Sequence, residues 1–351
     1  MCNKEEAVLC LTHKWGKEYF ITAPTQNRTN ELIEGFNARP LATQIVGWRD
    51  KEQSLDIPCP ATSLSFPTVQ DGFTTWAIEG LDVQEITIDG ETVGTMFEDD
   101  NGVYLRCAGV KPDVSLPPGK EAARQVFSKL SQALASAGMD FSNVVRTWFY
   151  NDDILSWYDE FNEVRTAFFE EAGVFQGLVP ASTGIGATNA FGAAMMTGLF
   201  ALKPKNEQTY ARKVASPLQC PPSDYGSSFS RAASVKTPQG ERLFISGTAS
   251  VAPEGHTAFV GDLENQIDLT FKVVKAILAE CSMDESHVTR AIAYLKKLEF
   301  NDSFQSYVQA RGLSKMPLLT TVGTICRDDL LFEIELDAYK ATNGPSAKEL
   351  A

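Results

Sequence analysis

The amino-acid sequence predicts an α+β protein that contains the same mixed-sheet unit twice in tandem. Segment 138–150, GMDFSNVVRTWFY, recurs as segment 282–294, SMDESHVTRAIAY, with six identical positions at a constant offset of 144 residues (Met283 against Met139). A later block that begins at Pro180 recurs at Pro317, where the offset is 137 residues. Fixed offsets separated by one change in loop length indicate a duplicated domain, because solenoid repeats have much shorter periods.

Each copy shows the same order of predicted elements: strand, helix, Met-Asp turn, strand, second helix and a long closing strand, with the helices packed on one face of a mixed sheet. Apolar residues at three- and four-residue steps, from Leu263 to Ile277, predict the first helix of the second copy. In the first copy the predicted elements span 103–109, 121–137, 144–150, 154–171 and 184–202, the last with a break at Gly192. In the second copy the predicted strands and second helix span 243–248, 288–295, 303–310 and 319–339.

These repeats divide the 351 residues into two halves, a number that suits the length of the chain. We expect a first half over residues 1–205 and a second over 206–345, followed by a frayed tail at 346–351. The first half carries an N-terminal extension whose short runs AVLCL, YFITA and QEITIDGETVG predict additional strands.

Charge and hydropathy exclude several classes of partner. The net charge is −14 with no stripe of Lys or Arg, which disfavours nucleic-acid binding. No apolar run is long enough to cross a bilayer, and the N-terminus has no signal-peptide pattern, so we expect a cytoplasmic protein without membrane contact. A small anionic substrate would need a local cluster of arginines to overcome the overall negative field.

Metal or nucleotide cofactors are not expected. The seven cysteines are scattered without a CxxC pair, and the three histidines have no second His or Cys at ligand spacing. The segment Gly184–Gly186 lacks the following Lys of a phosphate-binding loop and lies in a predicted strand. The sequence therefore predicts chemistry that needs no metal and no cofactor.

The second copy resembles the Rid (YjgF-like) family, which has a chorismate-mutase-like α+β fold. The resemblance lies in ISGTAS, the Met-Asp turn, the EIE run before Ala338, and the trio Gly261, Asp262 and Gln266. Imine deaminases of that family place an arginine shortly after the proline of the last strand. Leu318–Leu319 and Ala181–Ser182 stand there in the two copies, which counts against an enamine or imine deaminase.

Further motifs resemble the chorismatases, which consist of two Rid-like halves in one chain. They follow the order of that family and cover most of residues 100–340: RTWFY at 146–150, YDEFNEVR at 158–165, PASTGIG at 180–186, YGSSFSRA at 225–232, SGTAS at 246–250 and CRDDLLFEIE at 326–335. The chain departs from the family at Ser227 and Ser228, where Pro and Arg are usual. The resemblance implies removal of the pyruvyl group from chorismate.

Glu333 is the predicted general acid. Loss of pyruvate requires protonation of the enol-ether carbon, for which a partly buried carboxyl with a raised pKa is suited. Alternation in LLFEIELD puts Glu333, Glu335 and Asp337 on one strand face. The resemblance selects Glu333, because the catalytic Glu of the family lies seven residues after a Cys. Without the resemblance, a solvated polar face stays open, and we expect Glu335 to be structural or solvent-facing.

Cys326 is the second predicted catalytic residue. Taken alone, a Cys in a strand is more often a small buried apolar residue. In the chorismatases, however, a Cys at this position goes with the branch that forms 3-hydroxybenzoate, whereas the branch without it hydrolyses chorismate to a dihydroxycyclohexadiene carboxylate. The resemblance therefore implies that Cys326 steers the product without forming a covalent bond.

Cationic and aromatic side chains are predicted to bind the two carboxylates and the ring of chorismate. The candidate substrate-binding residues are Arg146, Trp148, Tyr150, Arg165, Tyr225, Phe229, Arg231, Gly247 and Ala249. Each has a plainer interpretation as well: a surface arginine, a core aromatic residue or a strand end. Arg146 in particular is repeated by Arg290, which is typical of a residue that serves the fold.

Three functions therefore stay open on sequence alone: a chorismatase that forms 3-hydroxybenzoate or the dihydroxy acid, a Rid-type deaminase, and a non-catalytic ligand-binding protein. The expected partner is a small molecule. Single Rid units form trimers, so the tandem chain is expected to be a monomer or a homotrimer.

Overall fold

Three mixed β-sheets follow one another along the chain. The computed structural model describes residues 6–47, 59–65, 72–342 and 348–350. We call the three parts the N-terminal, central and C-terminal units. Within these residues, none of the helices combines the length and the apolar character needed to cross a bilayer.

The N-terminal unit is a sheet with one helix. Its elements are β1 (Ala7–His13), β2 (Gly16–Ala23), α1 (Gln26–Gly35), β3 (Arg39–Val46), β4 (Ala61–Ser65) and β5 (Gly72–Glu79). The strands lie in the order β4-β3-β5-β2-β1. Helix α1 begins at Thr25, whose side chain accepts a hydrogen bond from the Arg28 amide at 3.2 Å.

The central unit carries two helices on one face of its sheet. Its elements are β6 (Gln84–Ile88), β7 (Glu91–Glu98), β8 (Gly102–Val110), α2 (Lys120–Ser136), β9 (Val144–Asn151), α3 (Ile154–Glu171), β10 (Ala181–Gly186), β11 (Thr188–Asn189) and β12 (Met195–Pro204). The order is β10-β9-β12-β8-β7-β6. Phe127 of α2 and Phe161 of α3 pack against Phe149 of β9 in the core beneath the helices.

The C-terminal unit repeats this arrangement. Its elements are β13 (Tyr210–Val214), β14 (Ala232–Thr237), β15 (Gly240–Ala249), α4 (Leu263–Glu280), β16 (Val288–Leu295), α5 (Asn301–Ala310), β17 (Leu318–Val322), β18 (Thr324–Ile325) and β19 (Phe332–Ala341). The order is β13-β14-β15-β19-β16-β17. A last short strand, β20 (Lys348–Glu349), pairs with β1, so part of the segment expected to be frayed lies beside a strand.

The predicted fold class, tandem mixed-sheet units with helices on one face, is confirmed. The repeated Met-Asp turn has a local explanation, since the Asp140 and Asp284 side chains accept hydrogen bonds from the Ser142 and Ser286 amides and cap matching 3-10 turns. The prediction of one long closing strand in each copy was wrong. In the central unit, β10 runs parallel to β9, and the chain returns antiparallel to β9 as β12.

The N-terminal unit has the strand order of the other two, which its sequence does not reveal. Strand β3 is parallel to β4 and antiparallel to β5. Strand β9 has the same relation to β10 and β12, and β16 to β17 and β19. The antiparallel pairing shifts register near the start of β3, β9 and β16 alike. The chain therefore contains three related units, one more than the sequence predicts.

Short strands join neighbouring units at two equivalent places. Strand β18 of the C-terminal unit pairs with β10 of the central unit at Ile185 and Ile325. Strand β11 of the central unit pairs with β4 of the N-terminal unit in the same way, at Thr188 and Ser65. The inner faces of the three sheets share one core, to which Leu41, Phe200 and Ile292 belong. The helices lie outside this core. Each of these junctions therefore has a parallel strand of one unit on one side and long antiparallel strands of the next unit on the other.

Candidate active site

A cavity of about 790 Å³ lies at the junction of the central and C-terminal units. One wall is formed by α3 and β10, and the other by β15, the start of β19 and the segment 225–231 before β14. It is lined by eight of the predicted site residues: Arg165, Tyr225, Phe229, Arg231, Gly247, Ala249, Cys326 and Glu333. Residues that are up to 168 positions apart in the chain are therefore brought to one cavity.

Glu333 lies at the buried end of this cavity, with only 4% of its surface exposed. It sits opposite Ala249 of β15 and Tyr294 of β16 in the sheet. Its carboxyl approaches Gly247 so closely that a Cβ at that position would lie 2.0 Å from Glu333 Oε1. Burial, and then the negative charge of Glu335, raise the pKa of Glu333 to about 8. The side chain is thus mainly a neutral acid at neutral pH.

Cys326 lines the same cavity, just after β18. Burial of the sulfur, and then the nearby Glu333, raise the pKa of this thiol to about 12. A thiol with such a pKa carries its proton at neutral pH and is a weak nucleophile. Cys326 can therefore shape the cavity and donate a weak hydrogen bond, but it is not activated for covalent attack.

Two buried arginines supply positive charge. Arg165 donates from Nη2 to Asn162 Oδ1 at 2.6 Å, and Arg231 donates from Nε to the Cys220 carbonyl at 3.1 Å. Within the described residues, neither forms an ion pair with a carboxylate, and Nε of Arg165 and Nη2 of Arg231 have no hydrogen-bond partner. Phe229 stands between them, with each guanidinium carbon 5.8 Å from its ring centroid. Buried cations without counter-charges favour an anionic ligand.

Tyr158 and Arg327 are two of the lining residues that the sequence reasoning missed. Tyr158 lies with Asn162 and Arg165 on one face of α3, and the spacing of three and four residues in YDEFNEVR could have revealed this. Arg327 follows Cys326, and its guanidinium carbon lies 4.9 Å from the centroid of the Tyr225 ring. Arg327 adds a third positive charge to the cavity.

Arg146, Trp148 and Tyr150 do not line the cavity. All three lie on β9, which is flanked by β10 and β12, so their side chains end in the shared core between the three sheets. Trp148 stacks beneath the Arg106 guanidinium at 4.1 Å, and Tyr150 is hydrogen-bonded to Gln44 of the N-terminal unit. The structure therefore separates these residues from the other candidates by one layer of side chains.

Glu335 joins the two layers. Alternation predicts that one strand face carries Glu333, Glu335 and Asp337. All three side chains are buried, so this face is not solvated. Of the two expectations for Glu335, exposure to solvent was wrong: it is fully buried and pairs with Arg146 at 2.6 Å and Arg290 at 2.5 Å. Arg146 and its repeat Arg290 are thus both paired with this one buried carboxylate.

Comparison with known proteins gives three kinds of similarity. A protein-family model described as Endoribonuclease L-PSP matches residues 114–195. A protein named chorismatase from Streptomyces hygroscopicus is 28% identical over 235 residues, which cover 61% of this chain and 66% of that protein, slightly less than two thirds of its length. Among solved structures, yeast Mmf1 aligns over 99% of its length with 37% of this chain, at 19% identity and a TM-score of 0.31.

A crystal structure of a chorismatase aligns much more extensively. It covers 85% of this chain and 92% of its own, with a TM-score of 0.67 and 21% sequence identity. This likeness shows a shared fold over most of the chain. In sequence as well as in fold, the chain is thus similar to chorismatases.

Proposed function

We propose that the chain converts chorismate to 3-hydroxybenzoate and pyruvate in the cavity between the central and C-terminal units. The observation that carries this proposal is the position of Glu333, a buried carboxyl whose pKa is raised to about 8, in the same cavity as Arg165 and Arg231. A proton donor next to unpaired cations suits a substrate that is a dianion with an acid-labile enol ether.

The first step is transfer of the Glu333 proton to the terminal carbon of the enolpyruvyl group. Proton transfer to carbon needs an acid whose pKa lies near the working pH, because a weaker acid would not give up its proton and a stronger one would already be ionised. Burial of Glu333 against Gly247 meets this requirement. The resulting oxocarbenium ion is stabilised by the carboxylate that Glu333 becomes.

Arg165, Arg231 and Arg327 bind the two carboxylates of chorismate in this proposal. The net charge of −14 opposes an anion at long range, but buried guanidinium groups act at short range in a medium of low dielectric constant. The free N–H groups of Arg165 and Arg231 fit this role, since substrate oxygens would satisfy them. Phe229 and Tyr225 present flat surfaces to the ring.

Loss of pyruvate then follows within the substrate. The bond between the ring carbon and the ether oxygen breaks, and pyruvate leaves with that oxygen as its ketone. The neighbouring ring hydroxyl forms the new bond to the ring carbon and releases its proton, and the arene oxide opens and loses a ring proton to give 3-hydroxybenzoate. Atoms balance without water, and in this proposal the proton-bearing Cys326, which lines the cavity, keeps water from the reacting carbon.

The test is incubation of the purified protein with chorismate, with pyruvate measured by coupled lactate dehydrogenase and aromatic products identified by mass. We expect equal amounts of pyruvate and 3-hydroxybenzoate, no ¹⁸O in the phenol when the reaction runs in H₂¹⁸O, and loss of both products in Glu333→Gln. Pyruvate with a dihydroxycyclohexadiene carboxylate would keep the substrate and overturn the product. No turnover, with ammonia released from an imine, would favour a Rid-type deaminase instead.

A further inference from the structure

Glu335 is tied to the candidate acid through its arginine partner. It is two residues from Glu333 on the same strand face and is fully buried. Its Oε2 accepts hydrogen bonds from Arg146 Nη2 and from the Thr183 hydroxyl, both at 2.6 Å. Its Oε1 accepts from Arg290 Nη2 at 2.5 Å and from the Tyr294 hydroxyl at 3.2 Å. This saturation fixes both the place and the charge of the carboxylate.

We propose that Glu335 is a positioning residue that neutralises Arg146 and so keeps Glu333 in its proton-donating form. The proposal rests on the proposed function, because it assigns a task to Glu335 in that reaction. Glu335 does not line the cavity and touches no substrate. It acts on the acid from the layer of side chains behind it.

The charged and titratable groups around Glu333 come from every element packed against it. They are Glu335 on the same strand, Tyr294 opposite it on β16, Arg146 on β9, Arg231 before β14, Cys326 after β18 and Tyr158 on α3. Gly247 on β15 contributes no charge. Arg146 and Arg231 favour the carboxylate form, whereas Glu335 opposes it and burial opposes it most. The protonation of Glu333 therefore depends on whether the Arg146 charge is compensated.

Arg146 would be a strong perturbation if it stood alone. Its Nε and Nη1 have no hydrogen-bond partner within the described residues, and its side chain is fully buried. A charge in such a medium acts over several ångströms with little screening. Removing the Glu335 charge abolishes its repulsion of the Glu333 carboxylate and leaves the attraction of Arg146 unopposed, so the pKa of Glu333 falls.

A second link between the residues is mechanical. The Thr183 hydroxyl, which donates to Glu335, accepts from Arg146 Nη2 at 2.5 Å and from the Gly247 amide at 3.0 Å. Gly247 is the residue against which the Glu333 carboxyl rests. The Glu335 carboxylate thus also holds the strand segment that sets the position of the acid.

The test is the pH dependence of kcat/KM for chorismate in Glu335→Gln, Glu335→Asp and Asp337→Asn. Activity should fall as pH rises through the pKa of Glu333, because the acid must be protonated. We expect Glu335→Gln to move this fall to lower pH by at least one unit, so that at pH 7.5 its activity is about threefold or more below that of the wild type and recovers at pH 6. Glu335→Asp keeps the charge, so its kcat/KM should decline over the same pH range as that of the wild type.

Asp337→Asn removes the carboxyl two residues further along the same strand face. In this variant kcat/KM should decline at the same pH as in the wild type. An equal shift in both amide variants, or none in Glu335→Gln, would overturn the proposal. If Glu335→Gln fails to fold, Arg146→Gln gives the opposite test. Glu335 then keeps Arg290 as its partner, and kcat/KM should decline at a higher pH than in the wild type.

The substrate-free protein separates this proposal from the proposed function. Carboxyl carbons of ¹³C-labelled glutamate are followed by NMR from pH 5 to 10, with Glu333→Gln identifying the resonance. A Glu333 titration that moves down in Glu335→Gln supports the electrostatic role even if chorismate is not turned over. Turnover of chorismate with an unmoved titration would leave the proposed function intact and overturn the role of Glu335.

Discussion

The Cα of Gly247 faces Glu333 across β15 and β19 at a distance that leaves no room for a side chain. A Cβ on Gly247 would lie 2.0 Å from Glu333 Oε1 and 3.1 Å from its carboxyl carbon. Contacts this short are not tolerated, so either the strand or the carboxyl must move. The carboxyl is the flexible partner of the two, and the candidate acid is therefore what a substitution at Gly247 displaces.

Gly247→Ala should consequently cost activity far more than stability. We expect kcat/KM for chorismate to fall by about 10²-fold, because a displacement of about 1 Å in a proton donor has that order of effect. The melting temperature should change by only a few degrees. Gly177→Ala is the matched control, since a Cβ there meets nothing within 4 Å. Wild-type activity in Gly247→Ala would show that Glu333 does not act from the observed position.

Glu333→Gln should make the protein more stable at alkaline pH while it removes activity. The folded-state pKa of Glu333, about 8, lies above the ordinary value of 4.5. The stability that this carboxyl contributes is complete below pH 4.5 and is lost as pH rises to about 8, because the unfolded chain ionises first. Glutamine has no such dependence. The advantage of the variant should grow from near zero at pH 4.5 to roughly 4 kcal/mol at pH 8.

Thermal unfolding of both proteins between pH 4.5 and 9 measures this difference. Glu91→Gln provides a control for the loss of one acidic charge, since Glu91 is exposed on the surface of the central unit. A constant difference between wild type and Glu333→Gln at all pH values would mean that the Glu333 pKa is the same folded and unfolded.

The sequence predicted the residues that line the cavity better than the residues that are buried behind them. Alternation along β19 was sufficient to put Glu333 and Glu335 on one face, and the capped Met-Asp turns fixed the start of β9 and β16. Alternation does not show where along a strand face the cavity ends and the shared core begins. Arg146 and Trp148 were assigned to the substrate on residue type and the RTWFY resemblance, but both are buried outside the cavity.

The amino-acid pattern of the N-terminal unit does not show that it is related to the other two units. Its likeness to the others lies in backbone pairing, in the parallel β3 and β4 and the antiparallel β5. At the position that corresponds to Glu333 in strand pairing, Gly72 stands opposite Val46, just as Glu333 stands opposite Tyr294. Side chains at these places have diverged so far that only the main-chain hydrogen bonds retain the relation. Sequence comparison therefore finds two copies where the fold has three.

Cys326→Ala should change the product and leave the substrate unchanged. The thiol carries a proton and fills part of the cavity beside Glu333, so alanine opens space for a water molecule near the reacting carbon. We expect pyruvate release to continue within tenfold of wild type, with a measurable share of dihydroxycyclohexadiene carboxylate in place of 3-hydroxybenzoate. Chromatography with mass detection gives the ratio. Cys281→Ala, a cysteine outside the cavity, is the control, and an unchanged ratio in Cys326→Ala would remove this residue from product selection.

Arg231→Gln should weaken substrate binding without unfolding the protein. Arg231 has a free Nη2 and no carboxylate partner within the described residues, so its loss breaks one hydrogen bond, to the Cys220 carbonyl. We expect KM for chorismate to rise at least tenfold, which corresponds to loss of one charge-assisted contact of about 1.5–3 kcal/mol. Arg212→Gln is the control, because Arg212 pairs with Glu241 on β13 and β15 away from the cavity. An equal KM in Arg231→Gln and wild type would exclude Arg231 from carboxylate binding.

The chain should be a monomer in solution. A trimer of single units closes its junctions by strands that reach from one subunit to the next, and here β18 reaches β10 and β11 reaches β4 within one chain. The shared core of the three sheets is likewise filled by one molecule, with Leu41, Phe200 and Ile292 all buried. Light scattering after size-exclusion chromatography should give a mass near 38.4 kDa at micromolar concentration. A mass of three times that value would contradict this prediction.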